Sequence, residues 1–153
     1  MWPFTKNKPK QPLRSTIDGA TVKALLDLSL RNRKRGDYRH LAQKDTMSVI
    51  TRADVDKASR KAFMPWKSGV WECENQALAL VHEAQKLAAN EGLSWAIGVI
   101  RARPPQGINL HVYVWAIVHS EGRFADRDVY FYDPTAQTWV SAADLNDVDY
   151  SWS

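Results

Sequence analysis

The spacing of apolar residues changes once along this chain, and that change constrains its fold more than any other feature. Up to about residue 90, hydrophobic side chains recur every three or four positions, as on one face of a helix. Val22, Leu25, Leu26 and Leu30 form a first stripe, opened by Ser15 and Asp18 in the spacing of a capping box and closed by Gly36. Thr51 and Asp54 repeat that box ahead of Val55, Ala58 and Ala62, and Pro65 ends the segment. A third helix is predicted over about 74–90, where Ala77, Leu80, Val81, Ala84, Leu87 and Ala88 share a face, with Asn90 and Gly92 at its end. Beyond Leu93 the period becomes two. Residues 93–101 are rich in strand formers, 110–118 alternate, 129–132 form a third strand closed by Asp133 and Pro134, and 138–142 a fourth. Turns fall at 104–107 and around Gly122; residues 37–50 are polar and ambiguous. The expected class is α+β: N-terminal helices, then a central helix packed on a small antiparallel sheet.

Length and charge narrow the reading. A chain of 153 residues suits one domain, placed at 15–153 behind a basic, proline-containing tail at 1–14. Cys73 is the only cysteine, which excludes an internal disulfide and a Cys-rich zinc site and points to a reducing, cytoplasmic setting. The four histidines match no zinc spacing, and no metal or other cofactor is expected. The apolar run at 93–100 is too short to span a bilayer, and the N-terminus has no apolar region of the kind a secretory signal carries. Residues 1–67 hold 16 Lys/Arg against 6 Asp, whereas 68–153 hold 5 against 11 Asp/Glu. Such a split fits a basic surface for nucleic acid or an acidic protein partner, with Arg31, Arg33, Lys34 and Arg35 as its densest patch. It fits equally two halves of one domain that attract each other.

Three residues carry the chemistry. Cys73 precedes the strongest helix, where unpaired backbone N–H groups and the helix dipole favour a thiolate. Glu72 and Glu74 beside it oppose that shift. His111 opens an alternating strand just after a turn, at a sheet edge. Asp133 ends the following strand, so a hairpin of the two brings Asp133 beside His111. Taken singly, each has an ordinary structural explanation: a small buried hydrophobe, a hydrogen-bonded core histidine, a turn aspartate. Together they give a nucleophile, a base and an orienting acid.

Helix-seated Cys73 in WECENQALAL, His111 in HVYVWAIV and Asp133 in VYFYDPT resemble the core of the papain-like and transglutaminase-like cysteine peptidases over about 65–140. They are similar, too, to the papain-like C-terminal domain of fungal agglutinins and its viral and bacterial relatives. The resemblance implies a cysteine hydrolase, a peptidase or amidase acting on a peptide or protein substrate through a thioester, with Cys73, His111 and Asp133 as its catalytic triad. Papain-type enzymes carry an oxyanion-hole Gln six residues before the Cys, where this chain has Lys67. Transglutaminase-type enzymes use a Trp indole, which makes Trp66 and Trp71 the oxyanion-hole candidates. The alternative is a non-catalytic binding or assembly protein on the same fold, contacting nucleic acid or an acidic partner through its basic half.

Overall fold

The computed structural model describes residues 14–41, 46–69, 71–107, 109–119 and 127–152. The tail at 1–13 and the turn around Gly122 lie outside the described residues. The element order is β1 (Thr16–Asp18), α1 (Gly19–Ser29), β2 (Lys34–Leu41), β3 (Thr46–Ser48), α2 (Arg52–Ala62), α3 (Cys73–Asn90), β4 (Ile97–Arg103), β5 (His111–His119), β6 (Arg127–Asp133), β7 (Thr138–Val140) and β8 (Asn146–Trp152), with a 3₁₀ turn at Ala142–Asp144.

Local chemistry sets the helix ends. Thr51 and Asp54 exchange both capping-box hydrogen bonds ahead of α2. At α1 the cap is Asp18, whose Oδ1 accepts from the Thr21 amide at 2.7 Å, while residues 16–18 extend as β1. Leu30 and Asn32, the latter at φ 69°, end that helix before Gly36, which instead lies inside β2. Gly92 at φ 71° follows α3, in the left-handed conformation that glycine takes without strain.

The sheet corrects the expected fold class. Strand exceeds helix among the described residues, 40% against 34%, so the sheet and not a central helix organises the molecule. It has six strands in the order β2-β8-β4-β5-β6-β7, and is mixed, because β2 runs parallel to β8 while the other pairs are antiparallel. β1 and β3 make a separate two-stranded ribbon. Both faces of the sheet are covered. Tyr113, Trp115 and Ile117 pack with Val22 and Leu26 of α1 and with Leu30 just beyond it on one side. Val114, Ala116 and Val118 pack with Val55 and Ala58 of α2 and Leu80 and Ala84 of α3 on the other. Helices on two sides of a mixed sheet are a different arrangement from helices followed by a small antiparallel sheet. β2 and β8 make the difference: both are rich in polar and charged residues, and their long-range parallel pairing leaves no local signature.

Part of the charge asymmetry is met by ion pairs inside the chain. Arg14, with 6% of its side chain exposed, forks between Asp54 at 2.6 Å and Glu91 at 2.8 Å, and its Cζ lies 4.8 Å from the Trp95 ring centroid. Burial works against the two carboxylates ionising, yet the Arg14 guanidinium holds both below the usual carboxylate range. Replacing Arg14 with Met is therefore expected to cost about 3 kcal/mol at pH 7, because two partly buried carboxylates then face each other unpaired. Groups with lowered pKa stabilise above their unfolded value and lose that contribution as pH falls through the folded one. The gap between wild type and variant should narrow between urea titrations at about pH 7 and about pH 3.5. A gap that stays constant would show that Arg14 acts by packing alone.

Candidate functional site

Cys73, His111 and Asp133 meet at one end of the sheet. Cys73 is the first residue of α3, and its thiol is half-buried. The Glu72 carboxylate accepts from the Asn75 amide and the Asn75 side chain accepts from the Glu72 amide, which fixes the turn that presents the sulfur. The antiparallel pairing of β5 with β6 brings the end of β6 back to the start of β5, so that Asp133 reaches His111. His111 Nε2 lies 3.0 Å from Asp133 Oδ1. An ionised carboxylate only accepts, so Nε2–H is the donor, and the ring's hydrogen bond with Cys73 falls to Nδ1. Asp133 Oδ1 also accepts from the Thr135 amide at 3.0 Å and the Ala136 amide at 3.2 Å, which locks the carboxylate. The Tyr113 ring packs edge-on to the imidazole, with centroids 4.6 Å apart.

The electrostatics favour an ion pair. The hydrogen bond from His111 holds the Cys73 thiol below its ordinary value against the opposing effect of burial, and the Val112 and Glu74 amides add further hydrogen bonds to the sulfur. Burial would lower the His111 pKa, but hydrogen bonds and charge from Asp133 and Cys73 push it up to about 9. Burial likewise resists ionisation of Asp133, and the contact with His111 more than offsets it, leaving that carboxyl below its usual range. Each shift thus favours moving the proton from the sulfur toward the imidazole.

The other residues singled out from the sequence lie elsewhere. Trp71 Nε1 donates to Gln76 Oε1 at 2.7 Å, so its indole N–H is already committed. Trp66 is 57% exposed and stands away from the core. Gln76, only 2% exposed, also accepts from the Met64 amide and donates to the Ala62 carbonyl, pinning the segment that leads into Cys73. Its role was invisible in sequence, since a polar residue on a helix reads as solvent-facing. In the basic patch, Lys34 pairs with Asp27, Arg35 with Asp37 and Asp149, and Arg33 donates to the Ala143 carbonyl and Asn146 Oδ1. Arg31 is exposed beside them. Arg33 and Arg35 reach the acidic half of the chain, whereas Lys34 pairs within the basic half. His119, at the far end of β5, contacts Ser15 Oγ at 3.3 Å.

A cleft of about 340 Å³ is bordered by Glu74 and Val112, the two residues whose backbone amides hydrogen-bond the Cys73 sulfur. Glu74 and Leu78 of α3 form one wall; Val99, Val112, Tyr150 and Trp152 form the sheet side. Arg101 lines it too, but its guanidinium is held by both oxygens of Asp149, at 2.9 and 3.0 Å. The cleft is thus a largely apolar seat with an aromatic wall.

Fold and site together define a mixed-sheet α/β domain with a Cys–His–Asp cluster near an aromatic-walled cleft. No protein-family model and no curated protein matches this chain. Among solved structures it is similar to a PSL1a–E64 complex, with 24% identity and a TM-score of 0.69 over 90% of this chain and 51% of that one. It is similar also to Polyporus squamosus lectin bound to the human-type influenza-binding epitope Neu5Acα2-6Galβ1-4GlcNAc, with 22% identity and a TM-score of 0.69 over 90% of this chain and 49% of that one. This chain thus spans about half the length of either neighbour.

These neighbours correct the assignment drawn from sequence. A papain-like or transglutaminase-like peptidase was the expected relative, and a lectin structure is what the fold matches. The expected peptidase or amidase activity, its thioester step and its peptide substrate are accordingly not carried to this chain. Among the described residues, no helix is long and apolar enough to cross a membrane.

Proposed function

We propose that this chain is a ligand-binding domain whose seat is the cleft beside Cys73, and that Cys73, His111 and Asp133 form its reactive centre. The observation that carries this reading is the convergence of the imidazole and two backbone amides on one sulfur at the mouth of an apolar cleft. A structural cysteine needs no such donors; a thiolate does. The ligand class that fits is an electrophile with an apolar body. The body lies along Tyr150 and Trp152, and the sulfur bonds to the electrophilic carbon.

An epoxysuccinyl reagent such as E64 tests this directly. Thiolate attack on an epoxide carbon forms a C–S bond and breaks a C–O bond, and the ring oxygen takes its proton from the His111 imidazolium. Nothing leaves, so the intact mass should rise by the whole reagent. The adduct is expected in wild type, absent in Cys73→Ser, and slower to form in His111→Ala and Trp152→Ala. Equal labelling rates in wild type and His111→Ala would overturn the reading.

A glycan is the second reading, favoured by the sialylated epitope bound to one structural neighbour and by the aromatic wall of the cleft. Titration with Neu5Acα2-6Galβ1-4GlcNAc separates the two. Binding lost in Trp152→Ala and indifferent to Cys73→Ser supports the glycan; no saturable binding removes it.

A further inference from the structure

A second cleft, unrelated to the sulfur, lies at the β7 edge of the sheet. Arg52, the first residue of α2, lays its guanidinium over two rings there. Its Cζ stands 4.2 Å from the Tyr130 ring centroid and 5.3 Å from that of Trp139. Those rings meet edge to face, 6.1 Å apart at 87°. Together they border a cleft of about 410 Å³ that reaches from Ser29 to Asp128 and Ser141. β7 pairs only with Phe131–Asp133 of β6, so among the described residues no strand covers the outer edge of β6 at Tyr130.

The hydrogen-bonding capacity of this corner is open. Among the described residues, Arg52 makes ring contacts but no ion pair or hydrogen bond. Stacking uses the flat face of a guanidinium and leaves its in-plane N–H groups free, in the fork that matches a carboxylate. The rings hold that fork in place and offer an apolar surface beside it. Asp128 lines the same cleft, its Oδ1 accepting from the Val129 amide at 2.8 Å. Its negative charge opposes a multiply charged anion more than a singly charged one. We infer that this cleft binds a monocarboxylate with a flat apolar body, the acid clasped by Arg52 and the body lying along Trp139 and Tyr130.

Titration of the full chain with benzoate tests this, read by NMR at the Arg52 Nε–H and the Trp139 indole N–H. Both signals are expected to shift together and saturate below roughly 10 mM. Benzamide, which lacks the charge, and acetate, which lacks the ring, should each bind about tenfold more weakly. Arg52→Gln should abolish saturation while leaving the melting temperature unchanged, and Asp128→Asn should tighten binding. Trp139→Leu, which keeps the charge, should bring benzoate down to the level of acetate. No saturation in wild type, benzamide equal to benzoate, phosphate tighter than benzoate, or unaltered binding in Arg52→Gln would each overturn the assignment.

Discussion

His111→Ala is expected to slow alkylation of Cys73 by iodoacetamide at pH 6 by roughly 10- to 100-fold. At that pH an ordinary thiol with a pKa of about 8.5 is almost wholly protonated. In the native protein hydrogen bonds from His111 and from the Val112 and Glu74 amides hold the thiol below its ordinary value. Removing the ring takes away the first and largest of these. The factor stays below the gain in thiolate fraction, because a stabilised thiolate is intrinsically less nucleophilic. The wild-type rate should rise at lower pH than that of a free thiol and change again near pH 9, where the His111 imidazolium gives up its proton. In the variant it should climb only toward the free-thiol pKa. A wild-type profile that climbs in the same way would mean that the imidazole does not share a proton with the sulfur.

The same pair makes a signed prediction for stability. His111 has a raised pKa, so its contribution is full below its unfolded value of about 6.5 and is lost as pH rises through about 9. Cys73 has a lowered pKa, so its contribution runs the other way, growing as pH rises toward the unfolded thiol value. Where the two ranges overlap the slopes oppose each other, because folding there moves one proton from sulfur to nitrogen. The stability difference between wild type and His111→Ala, measured in urea, should be flattest in that overlap and fall as pH rises through about 9.

Gly98→Ala is expected to cost about 3 kcal/mol or more, a large effect for the addition of one methyl group. Gly98 lies in β4, between β8 and β5, and pairs with Trp115. A Cβ there would overlap the Trp152 backbone carbonyl and lie 2.6 Å from Trp115 Cζ2. Trp115 is fully buried and has no room to retreat, and the carbonyl is backbone. The strand would have to part from β8 to admit the methyl group. Typical domains hold only about 5–15 kcal/mol in total, so the urea midpoint should drop steeply. A midpoint within error of wild type would show that the β4–β8 contact yields freely.

Much of the fold was legible because it rests on local rules. The box at Thr51 and Asp54, the stripe from Ala77 to Ala88 and the alternation through β5 each express one element's own periodicity. β2 and β8 were missed for the opposite reason. The segment KRGDYRHL carries little apolar signal, and it is a strand because it docks in parallel on β8 more than a hundred residues away. That omission led to a helix-on-small-sheet expectation where a six-stranded sheet covered on both faces is found.

The site divides along the same line. Sequence alone determined that a cysteine opens a helix, a histidine opens a strand and an aspartate closes the next, because each position depends only on neighbouring residues. Tertiary structure decided what those positions mean. It turned the Trp71 indole toward Gln76, set Arg35 against Asp149 of the acidic half, left Arg52 stacked on two rings, and placed an aromatic-walled cleft against Glu74 and Val112. None of these is readable from spacing, since each is a contact between segments that only folding brings together, and a polar side chain takes whichever partner the packed backbone puts within reach.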